Sequence, residues 1–247
     1  MCRILIGIDD TDNQESRGTG FLARQLAGEI EKISAGIVEG ISRHQLFIHD
    51  DIPYTSKNSA ACLLVRDGEA GFLHSFCRQY LLEKAASGSD VGLAIASCSS
   101  VPKEIIEFGI SAKKEVLFSQ HAYKLAKKFK LQLEGLTGTK EGVIGALAAV
   151  GLRRSGDDGR CIWLSGKELR ELSGVYSVME LSTITGIDAV IDFHGGMIPS
   201  EDKIEMGAWV RPVIKQNRVL LIVEKTSDKN EYSWKVASPD YIKSISN

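Results

Sequence analysis

The stretch ILIGIDDTDN, Ile4–Asn13, decides how this chain is read. Its first half, Ile4 to Ile8, is a short apolar run that stops at turn-type residues, the signature of a buried β-strand. Its second half places Asp9, Asp10 and Asp12 within four residues. Like charges this close repel, so they need open water or a compensating cation. Mg²⁺ is such a cation: it takes one or two carboxylates and fills its other positions with phosphate oxygens and water. Carboxylates at the C-terminal end of a strand, just before a helix, are well placed for a ligand. The alternative is a turn shaped by Asp10 and Asp12, with Asp9 or Thr11 capping a neighbour. Spacing alone leaves both open.

Beyond this strand the pattern continues in order. From Gly20 to Ile33 the apolar positions Phe21, Leu22, Leu26, Ile30 and Ile33 follow helical spacing. GIVEGISRHQLFI has strand character, IPYTSKN reads as a loop because Pro53 cannot donate to a ladder, and SAACLLV is a further strand. Glu69 to Ala86 reads as a helix with Phe72, Phe76, Tyr80 and Leu81 on one stripe, and VGLAIAS is a buried strand. Strand, helix, strand, strand, helix, strand is the ferredoxin-like βαββαβ arrangement, with two helices on one face of an antiparallel sheet. The expected class is α+β: a ferredoxin-like unit over residues 1–100 and a second α+β region over 101–247 that completes a nucleotide site.

The second region is less regular. PKEIIEFGI and SQHAYKLAKKFK read as helices, the latter with a basic face, and LTGTKEG is a loop leading into the helix VIGALAAVGL. CIWL is a strand, and GVYSVMELSTITGI reads as helical despite its many β-branched residues. AWVRPVI, RVLLIVE and YSWKV form a terminal antiparallel set with KQN as a tight turn.

The chain has 247 residues, 43% of them apolar and 25% charged, enough for one large domain or two small ones. Thirty basic residues against 32 acidic ones give a net charge of −2, so a nucleic-acid role would need a local patch. No apolar run approaches the ~18 residues of a membrane span, and the first residues carry no secretory pattern, which makes a cytoplasmic, membrane-free protein the expectation. Cys2, Cys62, Cys77, Cys98 and Cys161 are odd in number, scattered and free of C-x-x-C spacing, which argues against disulfides and a zinc ribbon.

Two glycine-bearing segments lead into helices. In NQESRGTGFLA, Gly18 and Gly20 flank Thr19 where the first helix begins, and backbone N–H groups there favour an anion. Arg17 could add charge, and Thr19 could either cap the helix or face a metal-bound phosphate. In LTGTKEG, Gly138, Thr139, Lys140 and Gly142 precede the next apolar helix, with the physics of a phosphate cradle but neither P-loop nor dinucleotide spacing. Softer candidates are the loop holding His49, Asp50, Asp51, Tyr54, Lys57 and Asn58, the polar turn at Asp157 and Asp158, and Asp192 with His194, which share a face if DFHGGMI is a strand. Ser97, Ser99 and Ser100 lack the G-x-S-x-G context of a nucleophile.

IGIDDTD, RGTGFLA, IPYTSKNSAACLLV and GTKEGVIGALAAVG, in that order, resemble the archaeal agmatinylcytidine synthetase of isoleucine tRNA. That family opens I-G-I-D-D-T-D-S and continues R-G-M-C-T-T-Y-L, I-P-Y-K-T-R-G-N-G-A and G-R-G-x-I-G-A-L-A-A. The resemblance spans the first hundred residues and a block around 135 to 165. It implies an enzyme that uses ATP to activate an oxygen by phosphoryl or nucleotidyl transfer, followed by amine ligation. Asp9, Asp10 and Asp12 would hold an ATP-bound Mg²⁺, and Thr19 would match a phosphorylated threonine. Arg17, Gly18, Gly20, Lys57, Gly138, Thr139, Lys140 and Gly142 would bear on phosphate or nucleotide. The departures are a longer loop after the acidic string, no M-C before Thr19, and Gly20 at the second threonine. The family's oligonucleotide-binding and cysteine-rich zinc modules have no counterpart here, so gripping tRNA is expected to need a partner chain. The alternative function is a non-catalytic nucleotide- or anion-binding module.

Overall fold

The computed structural model describes residues 3–55, 57–226 and 233–246. Cys2, Ser56 and Tyr232, named above, lie outside the described residues. The fold is α+β, and the chain divides into two compact units after Ser155.

The first unit is built on the order β1 (Arg3–Asp9), α1 (Thr19–Lys32), β2 (Ile37–Gln45), β3 (Ser59–Arg66), α2 (Ala70–Lys84) and β4 (Gly92–Ser97). The strands lie in the sequence β4-β1-β3-β2, every neighbour antiparallel, which is the ferredoxin-like sheet. β1 pairs on both edges, with Gly7 opposite Cys62 on one side and Ala94 on the other. Its period of two splits its side chains between faces. Ile4, Ile6 and Ile8 are buried on the face of α1 and α2, while Leu5 joins the cluster of Cys62, Leu64, Ala94 and Ala96 on the other.

That other face is covered too. After β4 the chain forms α3 (Lys103–Ser111), α4 (Ser119–Phe129), a further edge strand β5 (Gln132–Gly135) paired with β4, and α5 (Val143–Ser155). α5 is apolar nearly all round because it is buried between the sheet and α3. The unit is therefore a sheet with helices on both faces, and residues 101–155 belong to its packing. α5 sits very close to β1: a Cβ on Gly7 would overlap the main-chain carbonyl of Ala146, and one on Gly145 would overlap the carboxylate of Asp9.

The second unit contains β6 (Arg160–Leu164), β7 (Lys167–Glu168), β8 (Gly174–Ser177), α6 (Val178–Thr185), β9 (Ala189–Ile191), β10 (Lys203–Met206), β11 (Val213–Lys215), β12 (Arg218–Lys225), β13 (Trp234–Val236) and α7 (Pro239–Ser246). β11 and β12 form the expected hairpin, with Gln216 and Asn217 both at positive φ, as a two-residue turn of this kind requires. β13 pairs antiparallel with β12.

Three sequence expectations change here. GVYS is a strand paired with β10, and the helix starts only after it, at a capping box between Ser177 and Glu180. Of AWVRPVI only the end is strand, since Pro212 offers no N–H and its carbonyl is taken by Cys161. DFHGGMI is a turn, with Asp192 accepting N–H bonds of 2.8 Å from both His194 and Gly196, so no shared strand face exists.

Candidate functional site

β1 ends at Asp9, and Asp10 takes a left-handed conformation (φ 51°) that turns the chain off the sheet. Thr11, buried, donates from its N–H and its hydroxyl to Thr19 Oγ1 at 3.3 and 3.2 Å. Thr19 Oγ1 in turn donates to Asp12 Oδ1 at 3.0 Å, and the Thr19 N–H reaches the same oxygen at 3.1 Å. Asp12, seven residues upstream, thus satisfies the start of α1, whose N-cap Gly18 has no side chain to do so. The other Asp12 oxygen accepts from Thr55 Oγ1 at 2.6 Å. Thr19 is 6% exposed and is the first residue of the helix rather than its cap.

Asp9 and Asp10 are different in kind. Burial beneath α5, followed by the charge of Asp10, pushes the Asp9 carboxyl up to about 8. Burial, then the charges of Asp90 and Asp12, pushes Asp10 up to about 6. Neither forms an ion pair among the described residues. Two adjacent carboxyls raised by burial and by nearby carboxylates are chemically a site that gains from a cation. Among the described residues no three acidic, histidine or cysteine side chains form a ready metal cage. Asp9 and Asp10 could supply two carboxylates to a cation, whose remaining positions would have to be filled by water or a bound phosphate.

These residues open onto a cavity of about 320 Å³. Asp9, Asp10, Asp12 and Thr19 line one side; Asp51, Tyr54, Thr55, Lys57 and Asn58 bring the loop between β2 and β3. Glu141, Gly142 and Gly145 bring the start of α5, and Glu115 to Phe118 the turn before α4. Six carboxylates face it (Asp9, Asp10, Asp12, Asp51, Glu115, Glu141) against one lysine, Lys57.

Other sequence candidates lie elsewhere. Arg17 stacks on Phe21, 4.5 Å from its ring centroid, and Gly18, Gly20, Gly138, Thr139 and Lys140 do not line the cavity. The GTKEG loop is closed on Asp90, a residue that sequence reasoning passed over: its carboxylate accepts the Thr139 hydroxyl and the Lys140 N–H, the latter at 3.2 Å. Thr137 pins the same loop by donating to Ser89 O at 2.6 Å. Thr55, Glu115 and Glu141 were also missed. Thr55 and Glu141 sit inside the quoted IPYTSKN and GTKEG loops, whereas Glu115 carried no local signal. His49 and Asp50 stand outside the lining, as do Ser97, Ser99 and Ser100, which bond to one another in a short 3₁₀ turn. Asp157 lies in the second unit, where it accepts the Gln216 N–H. Cys62, Cys77, Cys98 and Cys161 are free thiols, and burial pushes Cys62 and Cys77 up to about 12, as expected of core residues.

No protein-family model matches the chain. Over 158 residues it is 28% identical to an uncharacterized protein of Methanocaldococcus jannaschii, covering 62% of this chain and 50% of that one. Among solved structures it is similar to a tRNA fluorescent labeling enzyme, at 28% identity and a TM-score of 0.53 over 60% of this chain. It is also similar to TiaS, the agmatidine synthetase of an isoleucine tRNA, in its apo form (27%, TM-score 0.52, 60% of this chain). The complex of TiaS with that tRNA and ATP gives 27% and 0.54 over 61%. Over that span the chain has a TiaS-like α+β fold. It spans about half the length of the M. jannaschii protein and 35–36% of those solved chains.

Proposed function

We propose that the first unit is an ATP-dependent activating enzyme that transfers a phosphoryl or nucleotidyl group from ATP to an oxygen of the acceptor, releasing ADP or pyrophosphate. A deprotonated amine nitrogen then attacks the carbon bearing that oxygen and displaces it as phosphate or AMP. The observation that carries this reading is convergence. The acidic turn, Thr19, the Lys57 loop and the start of α5 are far apart in sequence and line one cavity. Its likeness to an enzyme solved with ATP, and in another complex with an ATP analogue and agmatine, supports the same reading.

In this reading Asp9 and Asp10 would hold a Mg²⁺, which would supply neutralisation of phosphate charge. Asp12 is committed to Thr19 and Thr55, so it fixes the turn and the facing loop rather than supplying both oxygens to a metal. Lys57 offsets phosphate charge from the opposite wall, and the excess of carboxylates favours an amine that enters as a cation. Catalysis of this kind is mostly positioning and charge neutralisation. Titration calorimetry with ATP, with and without Mg²⁺, tests it: Mg²⁺-dependent binding that Asp9→Asn abolishes is expected. No binding at millimolar nucleotide would refute the reading.

One observation favours a second reading, a nucleotide-binding module without turnover. Asp90 already occupies the donors of the GTKEG loop that could have gripped a phosphate. A single-turnover assay for AMP or ADP release separates the two.

A further inference from the structure

α2 and α5 are both rich in apolar residues, but only α5 is covered on every side. It is buried between the sheet and α3. α2 buries Leu73, Cys77 and Leu81 and leaves a second apolar row, Phe72, Phe76 and Tyr80, outside the core. The three rings recur every four residues and form a ladder, with centroids 6.4 and 6.3 Å apart. Phe72, at its head, is 52% exposed. The other flank of α2 already has a partner: Arg78 pairs with Glu134 of β5 at 2.9 Å, and His74 lies 3.5 Å from the same carboxylate. The ladder lies on the flank toward α1, where Glu29 is the charge that acts on the Tyr80 hydroxyl. Ile33, exposed at the end of α1, extends the head of the ladder, because the turns that close the two helices there meet. A Cβ on Gly68 would stand 3.1 Å from the Ala35 carbonyl oxygen. A helix apolar on two sides is normally buried on both, and a row of exposed rings marks a contact surface.

We propose that this face pairs two copies of the chain, α2 against the partner's α2, antiparallel about a two-fold axis at Phe76. Positions 72 and 80 lie four residues to either side of 76, so the axis sets Phe76 on the partner's Phe76 and Phe72 on the partner's Tyr80. The same register matches the charges. At one end Glu69 caps its own helix, accepting the Gly71 and Phe72 N–H groups at 2.8 and 2.6 Å, and has no cation among the described residues. At the other end Lys84 has no anion among the described residues. The axis brings Lys84 against the partner's Glu69, while Glu83 beside it is held by the Gln79 amide at 3.0 Å. A parallel pair would instead set lysine on lysine and glutamate on glutamate. Area limits the strength: a 15-residue helix is about 22 Å long and about 10 Å wide, roughly 220 Å² in plan, against about 800 Å² per partner in a standard interface. α1 must therefore contribute its end around Ile33, and the pair is a weak, reversible dimer. α2 lends no residue to the cavity, so the inference stands apart from the nucleotide reading.

Sedimentation velocity on the full chain, from about 1 to about 200 µM, tests it. The weight-average mass is expected to rise from the 27.0 kDa of one chain toward twice that value. Phe72→Glu is expected to weaken association at least about tenfold, and Lys84→Glu about threefold, each with the circular dichroism of the native chain. Phe76→Cys, on the axis, is expected to give a disulfide-linked dimer on mild oxidation, while Arg78→Cys, on the β5 flank, stays at the native chain's level. If Phe72→Glu fails to fold, Lys84→Glu and Phe76→Cys decide alone. A native chain that stays monomeric throughout overturns the proposal. So does a dimer that keeps its affinity in Phe72→Glu and Lys84→Glu and cross-links no faster at position 76 than at 78. Monomers that load phosphatidylserine vesicles through Phe72 overturn it as well, and give the face to a lipid surface.

Discussion

The starts of α1 and α5 look alike in sequence and behave differently in the fold. Each is a glycine-bearing loop leading into a helix, and in each a non-glycine residue adopts a left-handed conformation, Asp10 in one and Lys140 in the other. Each also has a carboxylate of the chain on donors that an anion could have used: Asp12 on Thr19, and Asp90 on Thr139 and Lys140. The difference is what remains. At α1, Asp12 is consumed but leaves Asp9 and Asp10 facing a cavity; at α5, the carboxylate closes the loop and the loop donors stand outside that cavity. A glycine-rich helix start is therefore no guide to phosphate binding until its donors have been accounted for.

The sharpest way to break this comparison is to neutralise one acid on each side. Asp9→Asn is expected to lower ATP turnover by about 10² to 10³-fold, and Asp90→Asn by less than about tenfold. Equal losses in a steady-state assay would mean that the two starts act alike. Gly7→Ala tests how firmly the acidic end is seated: with no room above β1, it should destabilise the chain by about 3 kcal/mol or more, read by chemical denaturation.

A pH series sharpens the same contrast. The Asp9 carboxyl is raised from its ordinary 3.8 to about 8 in the fold, so the folded chain keeps a proton that the unfolded chain releases. That stabilisation is complete below about pH 4 and is lost as pH rises through about 8. The melting temperature of the metal-free chain should fall across this window, and Asp9→Asn should flatten the decline. Thr55→Val removes the 2.6 Å bond to Asp12 and should cost about 1–2 kcal/mol, with weaker Mg²⁺·ATP binding. Thr139→Val should cost a similar amount and leave that affinity unchanged. The smallest effect is a gain: Gly28, exposed inside α1 with open space around its Cβ position, should stabilise by about 0.5–1 kcal/mol as alanine, with both starts undisturbed.

Much of the first sheet was legible because its strands are bounded by strong signals: the apolar run of β1 stops at carboxylates, and Pro53 interrupts the stretch between β2 and β3. The helices α1 to α5 were legible from apolar spacing, and the β11–β12 hairpin from KQN. What sequence could not show was the second face of the sheet, since nothing local in residues 101–155 says which surface they cover. The short strands β5, β7, β9 and β10 were missed because two to four residues carry too little period to register. At the site, Asp9 and Asp10 were legible from charge crowding. Asp90 and Thr55 were not, since each acts through a partner more than forty residues away.

The tight seating of α5 on β1 also bears on how the sequence can change. Most crowded positions can drift if a facing side chain shrinks in step. Position 7 has no such escape, because what a larger residue there would strike is the main chain of Ala146, which no substitution at 146 removes. The strand that presents the two open carboxylates is thus closed to stepwise exchange at its centre. A change of guest would therefore have to be accommodated elsewhere on the cavity wall, such as the Lys57 loop or the turn before α4, rather than by enlarging position 7.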